Sequence, residues 1–152
     1  MTTTLKQRLQ DDLTAAIKSR DELVSATLRL TLSAITKEEV AGATARTLSD
    51  DEVLKVIARE AKKRREAADA FAQGGRAESA EREKAEGAVL AAYLPQQLSD
   101  EELAEVVRAA IAESGAQGPK AMGLVMKTVG PKVADRAEGG RVAAEVRKQL
   151  AG

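Results

Sequence analysis

The sequence predicts an all-α protein: an N-terminal helical domain of about four helices (1–94), then a small three-helix domain (95–152). Three observations predict this. Apolar residues recur at three- and four-residue spacing along most of the chain, the period of a helix with one buried face. Phe71 and Tyr93 are the only aromatic residues. The core must therefore use Leu, Val, Ile, Ala and Met, which favours helix packing over a sheet. One helix-start signature also occurs twice, at Leu48-Ser49-Asp50-Asp51-Glu52-Val53 and at Leu98-Ser99-Asp100-Glu101-Glu102-Leu103. In each, the serine caps, the glutamate three residues on closes a capping box, and the flanking apolar pair forms a hydrophobic staple.

The first helix starts near Thr3 or Thr4 and carries Leu5, Leu9, Leu13 and Ile17 at every fourth position. Lys18-Ser19-Arg20 breaks it, and Asp21 is placed to cap the second. That helix has Val24, Leu28, Thr31 and Ile35 on its stripe. Leu28, Leu30 and Leu32 also alternate as a strand would, but no turn signals bound the run and helix formers flank it. Gly42 is read as the end of this element, and Ala43 to Leu48 as a loop. The third helix follows Ser49, with Val53, Ile57, Ala61, Ala68 and Phe71 on one side, and stops at Gln73-Gly74-Gly75. A fourth helix runs from Arg76 to Leu94. Gly87 inside it costs about 1 kcal/mol against Ala, which marks a close approach.

Pro95 ends that helix and pushes Leu94 away from helical angles. Tyr93 to Leu103 is thus a seam, a stop followed by a capped start. The acids at 100–102 complement the positive end of the next helix dipole. The fifth helix uses Leu103, Val106, Val107, Ala110 and Ile111 and ends near Ser114-Gly115. Gly118-Pro119 opens the sixth, with Met122, Val125, Met126 and Val129 on its face. Gly130-Pro131 is read as an interruption. A turn from Ala134 to Gly140 leads to a last helix with Val142, Val146 and Leu150.

The chain has no Cys and no His. Disulfides and thiolate or imidazole metal sites are excluded, as is catalysis by either group. No apolar run approaches the ~20 residues of a membrane span, and the N-terminus lacks an apolar signal core. The expectation is a cytoplasmic protein without metal or cofactor. Ser49, Ser99, Asp50 and Asp51 are explained as helix starts, with no histidine to activate a serine. No catalytic residue is assigned.

Net charge is zero, but its distribution is uneven. Residues 99–117 carry one basic and five acidic residues, a balance of −4. Residues 118–152 carry seven basic and three acidic, a balance of +4, and residues 55–75 six and three, a balance of +3. In the latter segment, Arg59, Lys62, Lys63, Arg64 and Arg65 are either a phosphate-contacting face or a solvated side balanced by Glu60, Glu66 and Asp69. Lys120, Lys127, Lys132, Arg136 and Arg141 are either a compact patch for a folded RNA backbone or ordinary surface cations. The lack of aromatics argues against stacking single-stranded bases. Met122, Gly123 and Met126 read as core at helical spacing, with Gly123 allowing close helix approach, or as an adaptable groove.

Several of these runs occur in one order. They are Leu28-Arg29-Leu30, the Leu48–Val53 signature, Tyr93-Leu94-Pro95-Gln96-Gln97-Leu98-Ser99, Met122-Gly123-Leu124-Val125-Met126 and Pro131-Lys132-Val133. Together they resemble the stand-alone YqeY-like proteins of the GatB/YqeY family over nearly the whole chain. The resemblance implies a helical second domain similar to the tail of the tRNA-dependent amidotransferase B subunit, where that domain helps hold tRNA. A Gly-Arg-Ala-Asp-Gly-like run usually follows the Pro-Lys-Val segment there. Here it reads Asp135-Arg136-Ala137-Glu138-Gly139, so Asp135 stands in place of a glycine. The amidotransferase's catalytic portions have no counterpart in this chain.

Three functions are compatible with the sequence. The first is a non-catalytic binder of tRNA or another folded RNA, acting through Lys120, Lys127, Lys132, Arg136 and Arg141. The second is a protein–protein adaptor for an amidotransferase or aminoacyl-tRNA synthetase. The third is an accessory to carbon–nitrogen ligase activity with glutamine as amido-N-donor, which rests on the resemblance alone.

Overall fold

The structure is a computed structural model that describes residues 3–115 and 117–151. Among these, all regular structure is helical. The chain separates into two compact units, Met1–Leu94 and Pro95–Gly152. The first holds α1 (Leu5–Lys18), α2 (Glu22–Glu39), α3 (Asp50–Gln73) and α4 (Ala77–Ala91). The second holds α5 (Asp100–Ser114), α6 (Met122–Val133) and α7 (Gly139–Ala151), with short 3-10 turns at Pro119–Ala121 and Ala134–Arg136. The all-α expectation is met.

Both capping boxes form. Glu52 N–H donates to Ser49 Oγ at 3.2 Å, and Ser49 N–H donates to the Glu52 carboxylate at 3.1 Å. The same pair of bonds joins Ser99 and Glu102 at 2.9 and 3.1 Å. Both staple pairs, Leu48 with Val53 and Leu98 with Leu103, are buried. Thr4 and Asp21 cap α1 and α2 through their side chains. These orphan amides are therefore satisfied by residues within three positions, which is why the helix starts are readable locally.

Unit 1 packs Leu9, Leu28, Ile35, Leu48, Val53, Val56, Ile57 and Leu90 into one core. Thr27 and Thr31 are also buried, and each hydroxyl donates to the carbonyl four residues back, so neither is left unsatisfied. At Gly87 an added Cβ would lie 3.6 Å from Arg64 Cβ, so α4 does approach α3 closely there. Unit 2 has its own core of Leu98, Leu103, Val107, Ala110, Val125, Val129, Val133, Ala137, Val142 and Val146.

Four local expectations change. Ile17 is 48 % exposed, and Ala16 is buried in its stead. A strict four-residue repeat drifts about 40° per step on a helix, so its fourth member has left the buried face. α2 ends at Glu39 rather than Gly42, because Arg46 N–H folds back onto the Glu39 carbonyl at 2.9 Å. Gly130-Pro131 does not interrupt α6, which runs through Pro131 to Val133. Pro131 and Lys127, the residue four before it, are both exposed, so water can replace the helical bond that proline cannot make, while Val129 and Val133 hold the last turn in the core. Pro119 opens a 3-10 turn, and α6 begins only at Met122.

The Glu52 carboxylate is held down to about 2 from an ordinary value near 4.5, first by the Arg46 guanidinium and then by Ser49 N–H. Its native form therefore prefers to be ionised. That contribution is complete above about pH 4.5 and is lost as pH falls toward 2, where the unfolded chain takes up the proton first. Glu52→Gln keeps an acceptor for Ser49 N–H but removes the charge. Urea midpoints measured from pH 6 to pH 2.5 should show a shallower acid limb in this variant than in wild type.

Candidate nucleic-acid interface

The seam residues are tied into unit 2 by backbone carbonyls at 135 and 136 and by the side chains of Arg136 and Arg141. Leu98 N–H donates to the Arg136 carbonyl at 2.8 Å. The Gln97 side-chain amide donates to the Asp135 carbonyl at 2.9 Å. Arg136 Nε donates to the Gln96 carbonyl at 3.0 Å. Arg141 Nη2 donates to the Leu98 carbonyl at 2.9 Å and to the Asp100 carboxylate at 3.0 Å. An extended segment with no sheet or helix partner thus has its polar backbone met by the turn before α7 and by Arg141 in the first turn of that helix. The Glu102 carboxylate, bonded to Ser99 and near Arg136, is held below the usual carboxylate range.

The five sequence-selected cations fall into three states. Arg136 and Arg141 are half-buried and bonded to the chain's own carbonyls. Lys132 pairs with Glu113 of α5 at 2.6 Å, with both side chains exposed. A pair of that kind contributes about 0–1 kcal/mol and is readily exchanged. Lys120 and Lys127 are exposed and make no ion pair among the described residues. Arg147 and Lys148 of α7 share that state. The sequence counts these two in the +4 balance of 118–152 but gives no reason to group them with the five cations spread over the sixth helix, the turn and the start of the last helix. The signal that finds them is their place opposite Val142 and Val146 on the helix.

Asp135 stands where the resemblance places a glycine, and the turn does not need a glycine there. Asp135 does not have a positive φ; the residue that does is Ala134, at φ 46° and ψ −125°. A side chain is disfavoured there, and the bonds from Gln97 and Leu98 to the next two residues hold the turn in place. Gly123 and Gly130 face open space, so Gly123 does not serve close helix approach in this unit. Met122 and Met126 pack partly against the core, in line with their helical spacing.

In unit 1 the basic cluster is largely engaged. Arg59 reaches Glu38, Lys63 reaches Glu60 at 3.0 Å, Lys62 lies 3.9 Å from Glu66, and Arg64 lies 3.4 and 3.6 Å from Glu83 and Glu86. This supports the solvated, charge-balanced reading over a phosphate face. An open cleft of about 530 Å³ is lined by residues including Leu5, Arg8, Asp12, Asp50, Leu54 and Tyr93. Tyr93 O–H donates to Asp12, and the Arg8 guanidinium lies 4.8 Å from the Tyr93 ring centre. Burial and the Asp12 carboxylate together raise the Tyr93 phenol above its ordinary value. Among the described residues no group of three or more acidic side chains is arranged to hold a metal ion, and no helix is long and apolar enough to cross a membrane.

Fold and site together define an all-α protein whose second unit has a charge-unbalanced surface. The family model described as Yqey-like protein matches residues 6–150. The chain belongs to the YqeY family. No curated protein matches the sequence.

Three stability outcomes follow from this geometry. Arg141→Ala should lower unfolding stability by about 1.5–3 kcal/mol, the range for hydrogen bonds to charged groups, whereas Asp100→Ala should cost no more than about 1 kcal/mol as an exposed partner. Ala134→Gly should raise stability by about 1 kcal/mol by relieving the positive-φ strain. Urea denaturation of the purified variants measures all three.

Proposed function

We propose that this protein is a non-catalytic accessory that binds tRNA or another folded RNA through its second unit. The observation that carries the proposal is the excess of seven basic over three acidic residues in 118–152, with several of the basic ones exposed and without an ion pair among the described residues. Such cations neutralise phosphates without reading bases, and contacts of that kind position a nucleic acid rather than select its sequence. Unit 2 has no aromatic residue, so base stacking is not its means of holding RNA. A rigid RNA fold, recognised by shape and backbone, is the matching ligand. The similarity of this unit to an amidotransferase tail, noted from sequence, gives the reading its biological direction, toward tRNA-dependent amidation.

Lys120 and Lys127 are available for phosphate as they stand. Lys132 is paired with Glu113 and reaches a phosphate only by giving up that pair. Arg136 and Arg141 would have to leave the seam to reach a phosphate. A filter-binding titration of bulk tRNA at several salt concentrations tests the proposal. Association should weaken with salt by about 0.9 log units per log unit for each phosphate neutralised, giving a slope near −3 for three or four contacts. Absence of binding at low salt overturns it. Adding the protein to a tRNA-dependent amidotransferase and measuring conversion of Glu-tRNA to Gln-tRNA tests the accessory role separately; an unchanged rate removes that role and leaves the binding intact.

A further inference from the structure

Two contacts fix which way α6 and α7 are turned. The Gln149 side-chain amide donates to the Ala104 carbonyl of α5 at 3.0 Å and to the Glu145 carboxylate at 2.9 Å. The 145/149 flank of α7 therefore faces α5. At about 100° per residue, the other flank carries Ala143, Arg147 and Leu150, beyond the buried Val142 and Val146. α7 also packs against α6 and the 3-10 turn that holds Lys120, and with the 145/149 flank taken by α5 this flank is the one left for them. On α6, Lys132 reaches Glu113 of α5 and marks that helix's α5-facing flank. Lys127 stands away from it, between Gly123 and Gly130 on the outer side.

We propose that the outer face along α6 and α7 is the phosphate track of this unit. Lys120, Lys127 and Arg147 are its contacts, and Lys132 and Lys148 lie toward the acidic α5 side. The inference rests on the RNA reading and names the residues of that site. Charge selects the ligand: all three side chains are exposed cations with no ion pair among the described residues. The acid nearest in sequence to Arg147, Glu145, is turned away and bonded to Gln149. Between the cations, Gly123 and Gly130 add no side chain, and a Cβ at either would meet nothing within 4 Å. A phosphodiester backbone can therefore lie close to the α6 axis while the cations reach its oxygens. The occupant is a polyanion presenting regularly spaced phosphates, as a structured RNA does.

The test uses the full chain, bulk tRNA as probe and salt-dependent filter binding. The triple variant Lys120→Ala, Lys127→Ala and Arg147→Ala removes three cations from the outer face. Its salt slope should fall by about 2.7. The double variant Lys132→Ala and Lys148→Ala removes two from the other side and should keep the wild-type slope. Gly123→Gln, which leaves charge unchanged, should weaken binding at fixed salt without altering the slope. Circular dichroism and urea midpoints verify that each variant is folded, since all of the altered positions are exposed. If wild type binds but the triple variant keeps its slope, or the double variant loses as much, the track is wrongly placed. If wild type does not bind at all, the RNA reading fails first, a result distinct from either.

Discussion

Unit 2 depends on docking Gln96 to Leu98 onto the turn before α7. Leu98 contributes its side chain to the core, where it is 5 % exposed, and both of its backbone polar groups are met from far along the sequence. Its amide goes to the Arg136 carbonyl and its carbonyl to the Arg141 guanidinium. Without those partners, an apolar side chain could be buried only by stranding two polar groups, at a cost that removes the gain. The arginines thus let a strand-like stretch enter an otherwise helical core. α5, α6 and α7 then close around a set of valines and leucines with no aromatic residue among them.

What was legible in the sequence is what is decided locally. The capping boxes at Ser49 and Ser99 satisfy amides within three residues, so the helix starts read correctly. The cores read correctly where the apolar period is sustained, as in α5 and α7. The ends were less legible. α2 stops because Arg46 returns to Glu39, an event that Gly42 does not signal. Proline at 131 is tolerated because its side of α6 is wet, a fact about packing rather than about proline. The state of each cation was least legible. Nothing near Arg136 or Arg141 in sequence shows that carbonyls some 40 residues away will claim them. Arg147 and Lys148 carry no recognisable run, and only the orientation of α7 brings them forward.

Unit 1 uses charge differently. Arg82 bridges Glu22 of α2 at 2.8 Å and Glu86 one turn on in α4 at 3.3 Å, while Arg64 of α3 faces Glu83 and Glu86. Glu86 is itself buried at 7 % exposure. A buried carboxylate needs such partners, since an unpaired charge in that position is strongly unfavourable. Beyond the shared core of Val53, Val56, Ile57 and Leu90, small residues line α3 and α4, with Ala68 and Ala80 buried and Gly87 letting the Arg64 stem pass. Charges here orient helices that alanines bring close. In unit 2 the exposed cations are left over after the internal bonds are made.

The connection between the units has a consequence for anyone who would separate them. Tyr93 belongs to unit 1 through Asp12 and Arg8, and Leu94 N–H still bonds the Ala91 carbonyl. Gln96, one residue past Pro95, already belongs to unit 2 through Arg136. The boundary is therefore one residue wide, Pro95. A gene divided a few codons upstream would strip the first unit of its only tyrosine. One divided a few codons downstream would take from the second the leucine that seals its core. Only a cut beside Pro95 leaves both pieces with the residues they fold around.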